Sequence, residues 1–153
     1  MNKIDNDKFH EKNNNTNILF NLIKNNKDID FINYITKFPK DDIDVNIKDS
    51  NGNYLLSIAI IKNFIKIIEI LLEYDAKTDI IDAEGHSILY YPIKYNYQEA
   101  LELLINHDNK SFGLSLVNIE DTRKSVPLFY AIKYKNFQAL KFLINNELLM
   151  DSF

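Results

Sequence analysis

Acid–base chemistry in this chain would have to start from His10, His86 and His107, its three imidazoles. His86 has Asp82 and Glu84 just before it. A carboxylate beside an imidazole is the raw material of a general base. Gly85 sits among these residues, however, and a polar run around a glycine reads as an exposed hairpin tip. No His-x-x-x-His pair occurs and cysteine is absent, so neither zinc nor a thiolate site has ligands at the usual spacing. Gly52, Gly85 and Gly113 are too scattered for a phosphate-binding loop. The Gly-x-Ser-x-Gly turn of hydrolases is missing. The acidic pairs Asp41-Asp42 and Glu120-Asp121 read as solvated loop charges. The sequence assigns no catalytic residue, no cofactor and no metal, and reads as a non-enzyme.

Binding chemistry is more visible. Lys94-Tyr95 returns 39 positions later as Lys133-Tyr134. Tyrosine gives a large apolar area with a polar end, which interfaces favour. An amine beside it suits an acidic partner. Basic residues among aromatics also suit single-stranded nucleic acid. A net charge of −4 with Arg123 as the single arginine argues against that. The plain structural alternative is that the tyrosines cover neighbouring helices while the lysine heads stay in water.

These pairs return because the chain does. Asp49, Gly52, Leu56, Asn63, Leu71 and Asp75 are met 33 residues later as Asp82, Gly85, Leu89, Asn96, Leu104 and Asp108. Such a period signals stacked units, none able to bury its apolar face alone. The fourth unit is displaced by 39, pairing Lys94–Ile105 with Lys133–Ile144. The added residues fall around 109–118. That connection holds Phe112, Leu114, Leu116 and Val117 and reads as a loop folded back on the stack, with partner docking the alternative.

Each unit needs a tip, a short helix and a longer one. The second has its tip at Asp49–Gly52 and helices over Leu55–Lys62 and Phe64–Tyr74, with Ile67, Ile68, Leu71 and Leu72 at helical spacing. The third has its tip at Asp82–Gly85 and helices over Ile88–Tyr95 and Gln98–Asn106. Upstream, Thr16 reads as the N-cap of a first helix, and a second over about Ile29–Lys37 stops before Pro39. Residues 1–15 read as a mobile polar tail and 16–153 as the repeat domain, with repeats at about 16–43, 44–76, 77–115 and 116–153. The longest uncharged apolar stretch, Tyr54–Ile61, is too short to span a bilayer, and the N-terminus lacks a signal-type apolar core. The expectation is an intracellular, cytoplasmic protein with no membrane partner.

These residues resemble the ankyrin repeat, whose pattern runs Asp-x-x-Gly-x-Thr-Pro-Leu-His-x-Ala, then Gly, a Leu-Leu pair and Gly-Ala-Asp. Asp121, Pro127, Leu128 and Ala131 match in the fourth unit. Gly52, Leu56, Ala59, Leu71, Leu72 and Ala76 match in the second, and Asp82, Gly85, Leu89 and Ser87 (for Thr) in the third. Leu19–Ile35 is similar to a degenerate first repeat, so the likeness covers about 17–146. It implies an all-α chain, an α-solenoid of about four stacked helix-turn-helix repeats with short hairpin tips. Asn26, Asn63 and Asn96 replace helix-ending glycines, and asparagine tolerates the left-handed backbone needed there. Asp75 and Asp108 replace a second glycine in the same way. Tyr54 and Val126 replace the capping Thr, while Ser57, Tyr90 and Phe129 replace His. Pro92 replaces Ala. With Ser87 as N-cap it would remove a mid-helix bond at a cost of about 3 kcal/mol and produce a kink or widened turn.

The resemblance also implies a function. The chain would be a non-catalytic protein–protein interaction scaffold, binding another protein through a concave wall of inner helices and tips. Repeat stacking would place Lys24, Ile61, Lys94 and Lys133 in one row and Asn25, Lys62, Tyr95 and Tyr134 in the next. The candidate partner-binding residues are Lys62, Glu84, His86, Lys94, Tyr95, Arg123, Lys133 and Tyr134, and an acidic segment is the expected partner. One alternative is a targeting or substrate-presenting arm of a larger enzyme or ligase-type assembly. Another is self-association through the C-terminal end, where Leu148, Leu149, Met150 and Phe153 break the expected polar cap. Small proteins made only of such repeats also serve as host-interaction factors in large DNA viruses and intracellular parasites.

Overall fold

The computed structural model describes residues 3–108 and 116–150, with side chains over 14–108 and 116–146. All regular elements among them are helices. The chain divides into two compact units, Met1–Ala76 and Lys77–Phe153.

The first unit holds α1 (Lys3–Lys24), α2 (Asp28–Ile35), a 3-10 turn at Lys40–Asp42, α3 (Leu55–Ile61) and α4 (Ile65–Glu73). Helices α1 and α2 form one hairpin, α3 and α4 the next. Helix α1 packs on α3 and α2 on α4. Leu19, Ile23, Phe31 and Ile35 from one hairpin and Leu55, Ile67, Ile68 and Leu71 from the other are buried. Each such side chain contributes about 2 kcal/mol of transfer free energy. Polar links join the hairpins: the Tyr74 hydroxyl lies 3.0 Å from Ile35 O and 2.8 Å from Phe38 O. The Lys24 ammonium pairs with Asp49 at 2.6 Å.

The second unit repeats this arrangement with α5 (Tyr90–Tyr95), α6 (Gln98–Asp108), a 3-10 turn at Leu116–Asn118, α7 (Pro127–Lys133) and α8 (Phe137–Met150). Helix α5 packs on α7 and α6 on α8. Leu89, Ile93, Ala100, Leu101, Leu104, Ala131 and Ala139 are buried in it.

The tips have one design. Asp49 Oδ1 accepts the N–H groups of Asn51 and Asn53, Asp82 Oδ1 those of Glu84 and His86, and Asp121 Oδ1 those of Arg123 and Ser125. The period-defining aspartates are therefore turn-formers. Asn26, Asn63 and Asn96 take positive φ of 57°, 55° and 57°, as expected from sequence. The fourth repeat places Lys135 at this position (φ 54°) and Lys124 at the tip-glycine position (φ 59°).

Several expectations need correction. Thr16 is not an N-cap: α1 begins at Lys3, running through most of the segment read as a tail, and the buried Thr16 hydroxyl donates to Asp44 O at 2.8 Å. Helix α5 starts at Tyr90 rather than Ile88, after a turn closed by Tyr90 N–H to Ser87 O. Pro92 thus falls in the first turn, where no backbone N–H is needed. Asp108 is not left-handed but ends α6, its carboxylate accepting the Leu116 N–H at 2.8 Å. Tyr54 and Val126 do precede their helices without a side-chain cap. In the long connection Leu116 and Val117 are buried, while 109–115 lie outside the described residues. The side chains of the apolar C-terminal tail also lie outside them.

Candidate interaction face

In the second unit, α5 and α7 bring two matched sets of side chains together. Tyr90, Lys94 and Tyr95 come from α5, and Phe129, Tyr130, Lys133 and Tyr134 from α7. Neither helix contains a carboxylate. The Lys94 ammonium lies 5.3 Å from the Tyr90 ring centroid and 5.0 Å from that of Tyr95. Lys133 stands over Phe129 at 5.8 Å, Tyr130 at 5.9 Å and Tyr134 at 5.6 Å. Amines on ring faces gain about 0.5–1 kcal/mol each at exposed sites. Hydrogen bonding to the Tyr95 and Tyr90 side chains raises the Lys94 pKa.

The tyrosines do two jobs. Tyr90 and Tyr130 are buried and meet edge-to-face at 4.8 Å, while the Tyr90 and Tyr134 hydroxyls bond at 3.0 Å. Burial, with Tyr134 next to it, raises the Tyr90 pKa. The Tyr130 hydroxyl donates to Asp121 Oδ2. Tyr95, by contrast, is 48% exposed. Tyr134 thus covers a neighbouring helix, as the structural alternative foresaw, while Tyr95 presents its ring outward. Beside them a cleft of about 320 Å³ opens, edged by Lys94, Tyr134, Lys135 and Phe137, with Ile93 in its wall.

At the tips, Glu84 and Arg123 are exposed but His86 is not. Its ring stacks on Tyr90 at 3.7 Å and 7° and is 6% exposed. Arg123 Nη1 lies 2.8 Å from His86 Nε2. Arginine only donates, so Nε2 accepts and the ring proton sits on Nδ1. That atom is 3.6 Å from Asp82 and 3.7 Å from Glu84. His86 therefore braces the tips from within, leaving little area for a partner. Thr122 continues the brace: its N–H and hydroxyl both donate to Gly85 O, at 3.1 and 2.9 Å. Behind it, burial and the carboxylates of Asp82 and Glu84 push the Tyr91 hydroxyl above the ordinary tyrosine range.

Lys62 lies in the first unit, where its ammonium bonds Asn26 Oδ1 and lies 3.4 Å from Lys24 O. Among the described residues no group of His, Asp and Glu is arranged to hold a metal ion. No helix among them is long and apolar enough to cross a membrane. Sequence reasoning missed Phe129 and the buried pair Tyr90 and Tyr130. The signal was available, since shifting Tyr90-Tyr91 by 39 lands on Phe129-Tyr130.

A family model described as ankyrin repeats, in three copies, matches residues 9–113. An ankyrin repeat protein of Acanthamoeba polyphaga mimivirus is 49% identical over 112 residues, which make up 73% of this chain and 15% of that relative. The chain therefore spans a small part of the length of the relative it matches.

Proposed function

This chain belongs to the ankyrin repeat family, and from that premise we propose that it captures an acidic segment of another protein, without catalysis, on the Lys–Tyr face of its second unit. Ankyrin repeats are generally protein–protein interaction modules. The observation that carries the finer reading is the charge on α5 and α7: two lysines, no carboxylates, and an outward Tyr95 between exposed tips and a cleft. Lys94, Tyr95 and Lys133 make the contacts, with Tyr134 as their backing. Glu84 and Arg123 at the tips set register, and His86 holds those tips in place. Lys62, already bonded to Asn26, is a secondary contact of the first unit.

Affinity capture with the intact chain, beside a variant carrying Lys94→Glu, Tyr95→Ala, Lys133→Glu and Tyr134→Phe, tests this. Mass spectrometry should find an acidic protein retained by the intact chain and lost by the variant. The far-UV circular dichroism of the two should match. Equal capture by both would remove the face from consideration.

A further inference from the structure

The fourth repeat leaves exposed side chains whose equivalents are buried in the earlier repeats. Three register rows show it. The first reads Ile23, Ile60 and Ile93, all at most 1% exposed, then Ile132 at 61%. The second reads Phe31, Ile68 and Leu101, all fully buried, then Leu140, half-buried. The third reads Ile35, Leu72 and Ile105, at most 3% exposed, then Ile144 at 40%. Within the second unit the covering elements are known: α7 packs on α5 and α8 on α6. Ile132 and Ile144 are the same side chains one repeat on, without that cover. The first repeat differs. Asp30 is exposed at the position where Ile67, Ala100 and Ala139 are buried, which is the polar outer face of a capping repeat. The fourth carries no such substitution on its own outer side.

Charge says what would cover it. Between Pro127 and Asn146 there is no Asp or Glu, while Lys133, Lys135 and Lys141 are all exposed. A second copy docking by the same face would set these lysines against their counterparts. A second copy docking by its first repeat would set Ile132 and Ile144 against Asp30. We propose that the α7–α8 face docks a helical hairpin of another protein, apolar toward Ile132 and Ile144 and flanked by carboxylates. The hairpin continues the α5/α6–α7/α8 packing by one step, and its carboxylates meet Lys135 and Lys141. Such a surface meets the cleft beside the Lys–Tyr face at Lys135, but Lys94 and Tyr95 are not part of it.

The probe is a designed hairpin of two helices with leucines along one side and glutamates on both flanks, with a lysine-flanked twin as control. Calorimetry with the intact chain should show the glutamate form binding at least about tenfold more tightly than the lysine form. Ile132→Thr with Ile144→Thr should cost at least about tenfold in affinity while keeping the helical signal, because both side chains are exposed. Lys94→Glu with Tyr95→Ala should leave this binding unchanged, which separates it from the proposed acidic-segment capture. Indifference to flank charge, or to the threonine pair, would overturn the proposal. So would concentration-dependent dimerisation in the ultracentrifuge that the threonine pair abolishes, since a second copy would then be the occupant.

Discussion

At the scale of single residues, left-handed backbone separates what the sequence announces from what only register reveals. Gly85 has φ 87°, and a Cβ placed there would clash with Thr122 Oγ1. Gly85→Ala should therefore introduce backbone strain and lose the Thr122 bonds, destabilising by at least about 1–2 kcal/mol. Urea unfolding followed by circular dichroism reads this directly, and an unchanged midpoint would mean the tips do not brace each other. Lys124 sits at the equivalent position with φ 59°, so the reverse change is informative. Lys124→Gly should stabilise by up to about 1 kcal/mol, because glycine adopts that conformation without a Cβ clash. The exposed Lys124–Glu120 pair at 3.1 Å is worth too little to offset the gain. Asn26, Asn63 and Asn96 were legible as left-handed because asparagine tolerates that region. Lys124 and Lys135 were not, since lysine carries no such preference and only the 39-residue shift aligns them.

At the scale of elements, α5 is the instructive helix. Starting it at Ile88, with Ser87 as N-cap, made Pro92 a helix breaker, but the structure starts it at Tyr90 and makes Pro92 a first-turn residue. Pro92→Ala should then change stability by less than about 1 kcal/mol, rather than recover the roughly 3 kcal/mol of a mid-helix proline. Thermal unfolding of the two forms decides, and a large gain for alanine would restore the strained-helix reading. Helix order, hairpin pairing and the inner and outer sets were legible because period 33 and helical apolar spacing agree. The start of α5 was not, because a 3-10 turn and a helical turn share the same local pattern. The ankyrin resemblance, with repeat stacking, put Lys94 and Lys133 in one row and Tyr95 in the next. His86 was misplaced for a different reason: a polar tip residue reads as solvated until the aromatic beneath it and the arginine of the next tip are known.

At the scale of the whole chain, acid stability tests whether the tip aspartates hold both units. Burial raises the Asp49 carboxyl, but the Lys24 ammonium and the N–H groups of Asn53 and Asn51 outweigh it and hold its pKa below the usual range. Asp121 behaves alike: burial raises it, and the Tyr130 hydroxyl with the N–H groups of Ser125 and Arg123 more than compensates. A lowered folded value means stability fully present above the unfolded pKa of about 3.9 and lost as pH falls through the folded value. Asp108 runs the other way. Burial raises it despite the Leu116 N–H, so its contribution is present below the unfolded value and fades as pH rises through the folded one. Unfolding free energy should consequently hold or rise slightly on mild acidification, then fall steeply below about pH 4. Asp49→Asn and Asp121→Asn should each flatten that fall, the first through Met1–Ala76 and the second through Lys77–Phe153. Asp108→Asn should raise stability at neutral pH and leave the acid limb intact. Urea titrations of the four proteins across this range give the slopes. An acid limb indifferent to both tip substitutions would mean that other carboxylates set the stability of the stack, and that the recurring aspartate serves geometry alone.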